Sequence, residues 1–262
     1  MFIIIIIGLI TGFSAGALGI GGAVLGTPLL KIIANFPDYL ALATPLPAVV
    51  PAAISGAIAY SKQKLLRLEV AKHSLIFAIP FSILGSYITK FTPSYLLMII
   101  TGLLLIQSGF SFIKKGFFSS EIQVLNVSPK ININKNAIFL SGIVAGFLSG
   151  FLAVGGGIIF VPSFMKFCNL SLKESLATSL FCVAVLAIPG IITHSFLGHI
   201  DWNAALILAA SVIPASYIGA TFSSKLKNNT ISRYYGIFIL LFAFIFIYNL
   251  SLIHISEPTR PY

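Results

Sequence analysis

The 262-residue chain is 58% hydrophobic and only 8% charged, with a mean hydropathy of +1.03. A soluble domain carries about 25% charged residues, so this composition belongs in a bilayer. The net charge of +10 sits in short basic clusters between apolar runs, not in a stripe interleaved with aromatics, which argues against a nucleic-acid partner.

The chain begins with MFIIIIIGLITG, which has no Lys or Arg before its apolar run and no A-x-A site after it. It is read as a retained first membrane segment, not a signal peptide. It leads into LGIGGAVLGTPLL, so residues 2–34 form one glycine-broken segment. Three plain spans follow, near residues 43–60, 74–90 and 95–113, each close to the ~20 residues that cross a bilayer. Pro45, Pro47 and Pro51 are expected to bend the first of them. Next comes the long polar stretch KKGFFSSEIQVLNVSPKININKN, whose residues 117–136 are read as a cytoplasmic linker. A second glycine-broken segment, 137–167, contains FLAVGGGIIFVP and is followed by spans near 176–197, 204–223 and 232–250. Pro189 is expected to bend the first of these. The last twelve residues, SLIHISEPTRPY, turn abruptly polar, and 251–262 are read as a non-native tail; His254 and Arg260 are set aside with it.

The chain is one unit written twice. At an offset of 134 (146 − 12), without a gap, Gly8, Gly12, Gly16, Gly21, Gly22, Gly56, Gly85 and Gly102 fall on eight further glycines, Gly142 to Gly236. Pro28 falls on Pro162, Pro80 on Pro214 and Thr44 on Thr178. Apolar composition alone would align leucines, not helix breakers. The first repeat covers residues 1–116 and the second 137–250.

The bases decide between two topologies. If each glycine-broken segment crosses once, they divide almost evenly between the two sides. If each goes in and returns as a helical hairpin, thirteen lie inside and only Lys31 and Lys90 outside. The second arrangement satisfies the positive-inside rule. It makes each half a hairpin plus three transmembrane helices, with the second half inverted and the N-terminus outside. The expected fold is therefore an all-α polytopic membrane protein with two inverted repeats, multi-pass in the cell membrane of a prokaryote.

Enzyme chemistry has little to stand on. The six acids lie in loops or the tail, so intramembrane carboxylate chemistry lacks its groups, and no catalytic residue is assigned. GIGGAV has no preceding strand and no following GK[ST], so no nucleotide cofactor is expected. Cys168 and Cys182 have no metal-ligand spacing, and no metal site is expected.

A physical reading of the glycine breaks follows. Helix N-termini leave backbone N–H groups unpaired and carry about +0.5 of a charge. Breaks at Gly21-Gly22 and Gly155-Gly156-Gly157 would restart helices near Ala23 and Ile158, so that two N-termini cradle an anion without a buried lysine. Tight packing is the competing role for glycine, and Gly8, Gly12 and Gly16 fit it by their spacing of four. The hydroxyls of Thr44, Thr178 and Ser179 could bind the same anion or cap their own helices. His194, near the end of an apolar span, is the candidate for proton coupling, with an interfacial structural role as the alternative. His199 and Asp201 share a short loop, and Trp202 reads as an interface anchor.

The doubled motif, LGIGGAVLGTPLL and LAVGGGIIFVPSF, resembles the Gly-Gly-Gly-x-x-x-x-Pro signature of the sulfite exporter TauE/SafE family. LATSLFCVAV and HSFLGHIDW resemble that family's second half. The resemblance implies a transporter, in the export direction, for small sulfur-containing anions such as sulfite or organosulfonates. Its partners would be the anion, the lipid bilayer and protons as a coupling ion; oligomeric state is left open. The alternative function is a non-transporting membrane anchor subunit of a sulfur-metabolism complex. This chain departs from the signature at Ala23, which stands where the second copy has Gly157, and it has Tyr60 opposite His194.

Overall fold

In lipid each backbone polar group must be satisfied within its own element, and this chain meets that demand with helices alone among the described residues. The computed structural model describes residues 1–19, 21–118 and 134–256. The first half contains α1 (Phe2–Leu18), α2 (Ala23–Ile32), α3 (Asp38–Ala43), α4 (Leu46–Ser61), α5 (Leu68–Ile88), a 3-10 turn at Thr89–Phe91 and α6 (Ser94–Phe118). The second contains α7 (Lys135–Phe151), α8 (Gly157–Phe167), α9 (Leu172–Phe196), α10 (Trp202–Lys225) and α11 (Asn228–Ser256). Among the described residues, six stretches are long and apolar enough to cross a membrane.

The duplication reappears in the helix starts. Ala23 and Gly157, Asp38 and Leu172, Leu68 and Trp202, and Ser94 and Asn228 begin equivalent helices, each pair 134 apart (157 − 23). The halves differ most clearly where two helices of the first match one of the second. Where α9 is continuous through Thr178 and Ser179, the first half breaks between α3 and α4 at Thr44-Pro45. The expected bend is thus an interruption, because Pro45 has no N–H to give and Pro47 follows at once. Pro189 lies inside a helix that runs on to Phe196. The acids expected in loops are partly helical: Asp38, Glu69 and Glu174 occupy first turns, where the helix dipole favours them. Most of the expected linker and residues 257–262 of the expected tail lie outside the described residues, while α11 continues through Ser256.

The chain divides into two compact units, Met1–Thr92 with Leu125–Leu226, and Pro93–Val124 with Lys227–Tyr262. In the first unit each glycine-broken segment is a hairpin. The open ends of the second are tied by the Asn134 N–H, which donates to the Phe167 carbonyl at 3.2 Å. At ~1.5 Å per residue the ten residues of α2 span about 15 Å, half the thickness of a hydrocarbon core.

Glycine sets the packing of the long arms. A Cβ on Gly12 would lie 2.7 Å from the Val212 backbone, and one on Gly16 or Gly150 would overlap the carbonyls of Ser216 or Ser82. So α1 runs parallel to α10 in backbone contact, and α7 runs parallel to α5 in the same way. Each hairpin's long arm is seated on a helix of the other half. The equivalent helices α4 and α9 are antiparallel neighbours, Gly56 facing Leu180 and Gly190 facing Leu46.

In the second unit α6 and α11 pair antiparallel. Gly102 lies against Ile247, Gly109 against Leu240 and Gly116 against Arg233, whose Nε donates to the Gly116 carbonyl at 2.6 Å.

Candidate functional site

The tips of the two hairpins meet at the crossing of α4 and α9. A Cβ placed on Gly21 would lie 3.2 Å from Val183 and 3.4 Å from the Val154 carbonyl; one on Gly155 would lie 3.0 Å from Val183 and 3.7 Å from Val49. Val49 and Val183 are themselves repeat equivalents. Gly21 of one break and Gly155 of the other therefore converge there, while Gly22 faces Thr11 and Gly156 faces Ala145, each in its own hairpin.

Local backbone explains the glycines. Gly19, Gly21, Gly155 and Gly156 have φ of 64°, 80°, 78° and 72°, the left-handed region where a side chain is strained. Ala153 adopts φ 55° without that licence, and is fully buried. Gly22, at φ −66°, is the N-cap of α2, and Gly156 is the N-cap of α8. The second helix restarts at Gly157, one residue before the expected Ile158. Neither start has a side-chain cap, and in α8 the Ile159 and Phe160 N–H groups donate to the Gly156 carbonyl.

The hydroxyls are engaged elsewhere. Thr44 Oγ1 accepts from the Asp201 N–H at 3.1 Å, and its equivalent Thr178 Oγ1 accepts from the Arg67 N–H at 3.1 Å. The two threonines thus fasten the loops before α10 and α5, at opposite ends of the α4–α9 pair. Ser179 donates to the carbonyl of Gly19, at 2.7 Å, and closes the C-terminus of α1. Of the three, only Ser179 touches a hairpin break.

His194 is buried with both ring nitrogens occupied. Nε2 lies 3.0 Å from the Gly150 carbonyl, in the last turn of α7, and Nδ1 lies 3.1 Å from His199 Nδ1. Tyr60 takes the matching place in the first half, its hydroxyl donating to the Ala17 carbonyl at 3.5 Å. His199, in the loop after α9, stacks on Tyr39 with centroids 4.6 Å apart, and burial holds its pKa below the usual histidine value. Asp201 caps α10 by accepting from the Ala204 N–H. Cys168, a free thiol between α8 and α9, is buried, and burial pushes its pKa up to about 11.

Two features at the site escaped sequence reading. A small apolar pocket opens beside Gly22, lined by Thr11, Gly26, Pro45, Val49 and Val212 among others. In the second half the corresponding residues are core: Phe160 stands at the position of Gly26 and packs with Ala145 and Cys182. The substitution of Phe for Gly in the repeat alignment was the available signal. The other feature is the Arg67–Glu174 pair, with Arg67 Nε donating at 2.9 Å to a carboxylate that also accepts from the Ser171 N–H.

Comparison with known proteins settles the family. The model of the family described as sulfite exporter TauE/SafE matches residues 4–246. The chain belongs to that family. It is 26% identical to the probable membrane transporter protein YunE of Bacillus subtilis, over 94% of this chain and 97% of the relative. It is 27% identical to YdhB of the same organism, covering 86% and 91%, and 25% identical to MJ0441 of Methanocaldococcus jannaschii, covering 86% and 87%; both are likewise called probable membrane transporter proteins. No solved structure matches. TauE/SafE membership and six membrane-length helices make the chain a membrane transporter, multi-pass in a prokaryotic cell membrane.

Proposed function

We propose that this transporter exports small sulfur-containing anions, sulfite or organosulfonates, holding the anion between the N-termini of α2 and α8. The observation that carries the reading is the convergence of the two breaks around Val49 and Val183, with uncapped helix starts at Ala23 and Gly157. Two half-helix dipoles at the converging tips favour negative charge there. The anion class and the direction come from the family's description.

We further propose that the repeats are inverted. The antiparallel run of the equivalent helices α4 and α9 supports this, since a two-fold relating them must lie across the helix axes. The charges of the first unit support it too. Lys62, Arg67, Lys173 and Lys225 sit at the end of α4 and α10 and the start of α5 and α9, whereas Lys31 and Lys90 sit at the opposite ends.

Purified protein in liposomes tests the function. Flux of sulfite or a short sulfonate, competed by anions of similar size, is expected; no anion flux would leave the anchor-subunit reading standing.

A further inference from the structure

We propose that His194 and His199 form a proton-operated latch on the corner between α9 and α10: the neutral pair holds the corner against the end of α7, and proton uptake releases it. The tautomers follow from the partners. A carbonyl can only accept, so His194 Nε2 carries its proton toward Gly150. A neutral His194 then has only a lone pair at Nδ1, and His199 must donate from its own Nδ1 across the 3.1 Å gap. His199 Nε2 is left as the basic nitrogen, on a half-buried ring pressed flat against Tyr39.

The charged and titratable groups around the corner have partners of their own. From α3, Tyr39 presents its ring to His199 and its hydroxyl donates to the Thr92 carbonyl at 2.8 Å, while neighbouring Asp38 is paired with Lys31. From the start of α10, the Asp201 carboxylate is committed to the Ala204 N–H. From the 3-10 turn after α5, Lys90 lies over the Phe91 ring. The first proton therefore makes a half-buried cation on His199. A second converts His194 Nδ1 into a donor facing a donor, and the pair must part.

The sign of the pH effect follows from burial, which lowers the His199 pKa in the closed corner. A lowered histidine value means the closed form's advantage is present above the ordinary value and is lost as pH falls through the depressed one. Acid opens the corner. The hinge is at hand: Gly198 has φ 71° and nothing within 4 Å of the space a Cβ would fill. A further side-chain tie to the corner is the Thr44 bond to the Asp201 N–H. The latch is independent of which anion is carried, because its readout is the protein itself.

Trp202, the single tryptophan, opens α10 three positions past His199 and reports on the corner. In nanodiscs its fluorescence is expected to titrate with a midpoint on the acid side of about 6.5, the ordinary histidine value. The titration should vanish in His199→Gln and in His194→Gln and persist in His73→Gln. Independently, a cysteine replacing buried Ile200 should react severalfold faster at pH 5.5 than at pH 7.5, relative to one replacing exposed Asn203. A flat wild-type titration, a titration unchanged in His199→Gln, or an Ile200-to-Asn203 labelling ratio equal at both pH values would each overturn the latch.

Discussion

The two hairpins share a template and differ in what surrounds their tips. Around α2 the chain places Gly26, Ala48 and Thr11, and a pocket opens beside Gly22; around α8 the same positions hold Phe160, Cys182 and Ala145, closed into core. The long arms show no such divergence: α1 on α10 and α7 on α5 use glycines at equivalent positions for equivalent backbone contacts. Symmetry is kept where helices must touch and given up where space is needed. On the proposed reading, the first tip is the open side of the site and the second its rigid wall.

The comparison breaks most visibly if the arms are altered. Ala at Gly150 would drive a methyl into the Ser82 carbonyl, and Ala at Gly16 into that of Ser216; each should cost about 3 kcal/mol of stability, as overpacking does. Thermal unfolding in detergent should show equal losses for both, and an unaffected Gly16→Ala would end the claim that the arms are equivalent. The Gly26→Phe variant copies the second tip into the first and should lower flux at least about tenfold, or ~1.4 kcal/mol of barrier, with the chain still inserted. Gly26→Ala, whose Cβ would lie 2.9 Å from the Pro45 ring and 3.9 Å from the Thr11 methyl, should fall between, and unaltered flux in both variants would refute the open-side reading.

Gly22→Ala is the finer probe of the anion cradle. Gly22 already has helical φ, and an added methyl meets the Thr11 carbonyl at 3.2 Å, so folding should survive while anion affinity drops several-fold in a binding titration. Undiminished affinity would remove the α2 terminus from the site. The smallest effect expected is at Ala153, the left-handed residue that stands where the first tip has Gly19. Ala153→Gly should stabilise the protein by about 1 kcal/mol; a loss of stability would mean the second tip relies on that methyl for packing.

Much of this was legible in sequence because glycine and proline pairs mark positions, not composition. Gly21-Gly22 and Gly155-Gly156-Gly157 located both breaks, and the offset that aligns them also aligns the helix starts. The break at Thr44-Pro45 was not legible as such, since three prolines within seven residues fit a bent helix equally well. Nor were the roles of Thr44 and Thr178: each accepts from a backbone N–H more than a hundred positions away, Asp201 and Arg67, and no local pattern encodes such a partner. The Tyr39–His199 stack is hidden for the same reason. Gly26 was visible, but its meaning required knowing that Phe160 fills the matching space.

The exchange of arms has a consequence for how such a protein is assembled. Because α1 lies on α10 and α7 on α5, each half carries one glycine-lined face whose main mate is in the other half. A half alone would leave that face against lipid, where glycine backbone finds no close-packed partner. Two separately produced fragments, divided within residues 119–133, should therefore be unstable singly and recover anion flux when made together, each supplying the arm that the other lacks. In these terms the duplicated chain is a covalently joined, arm-exchanged pair.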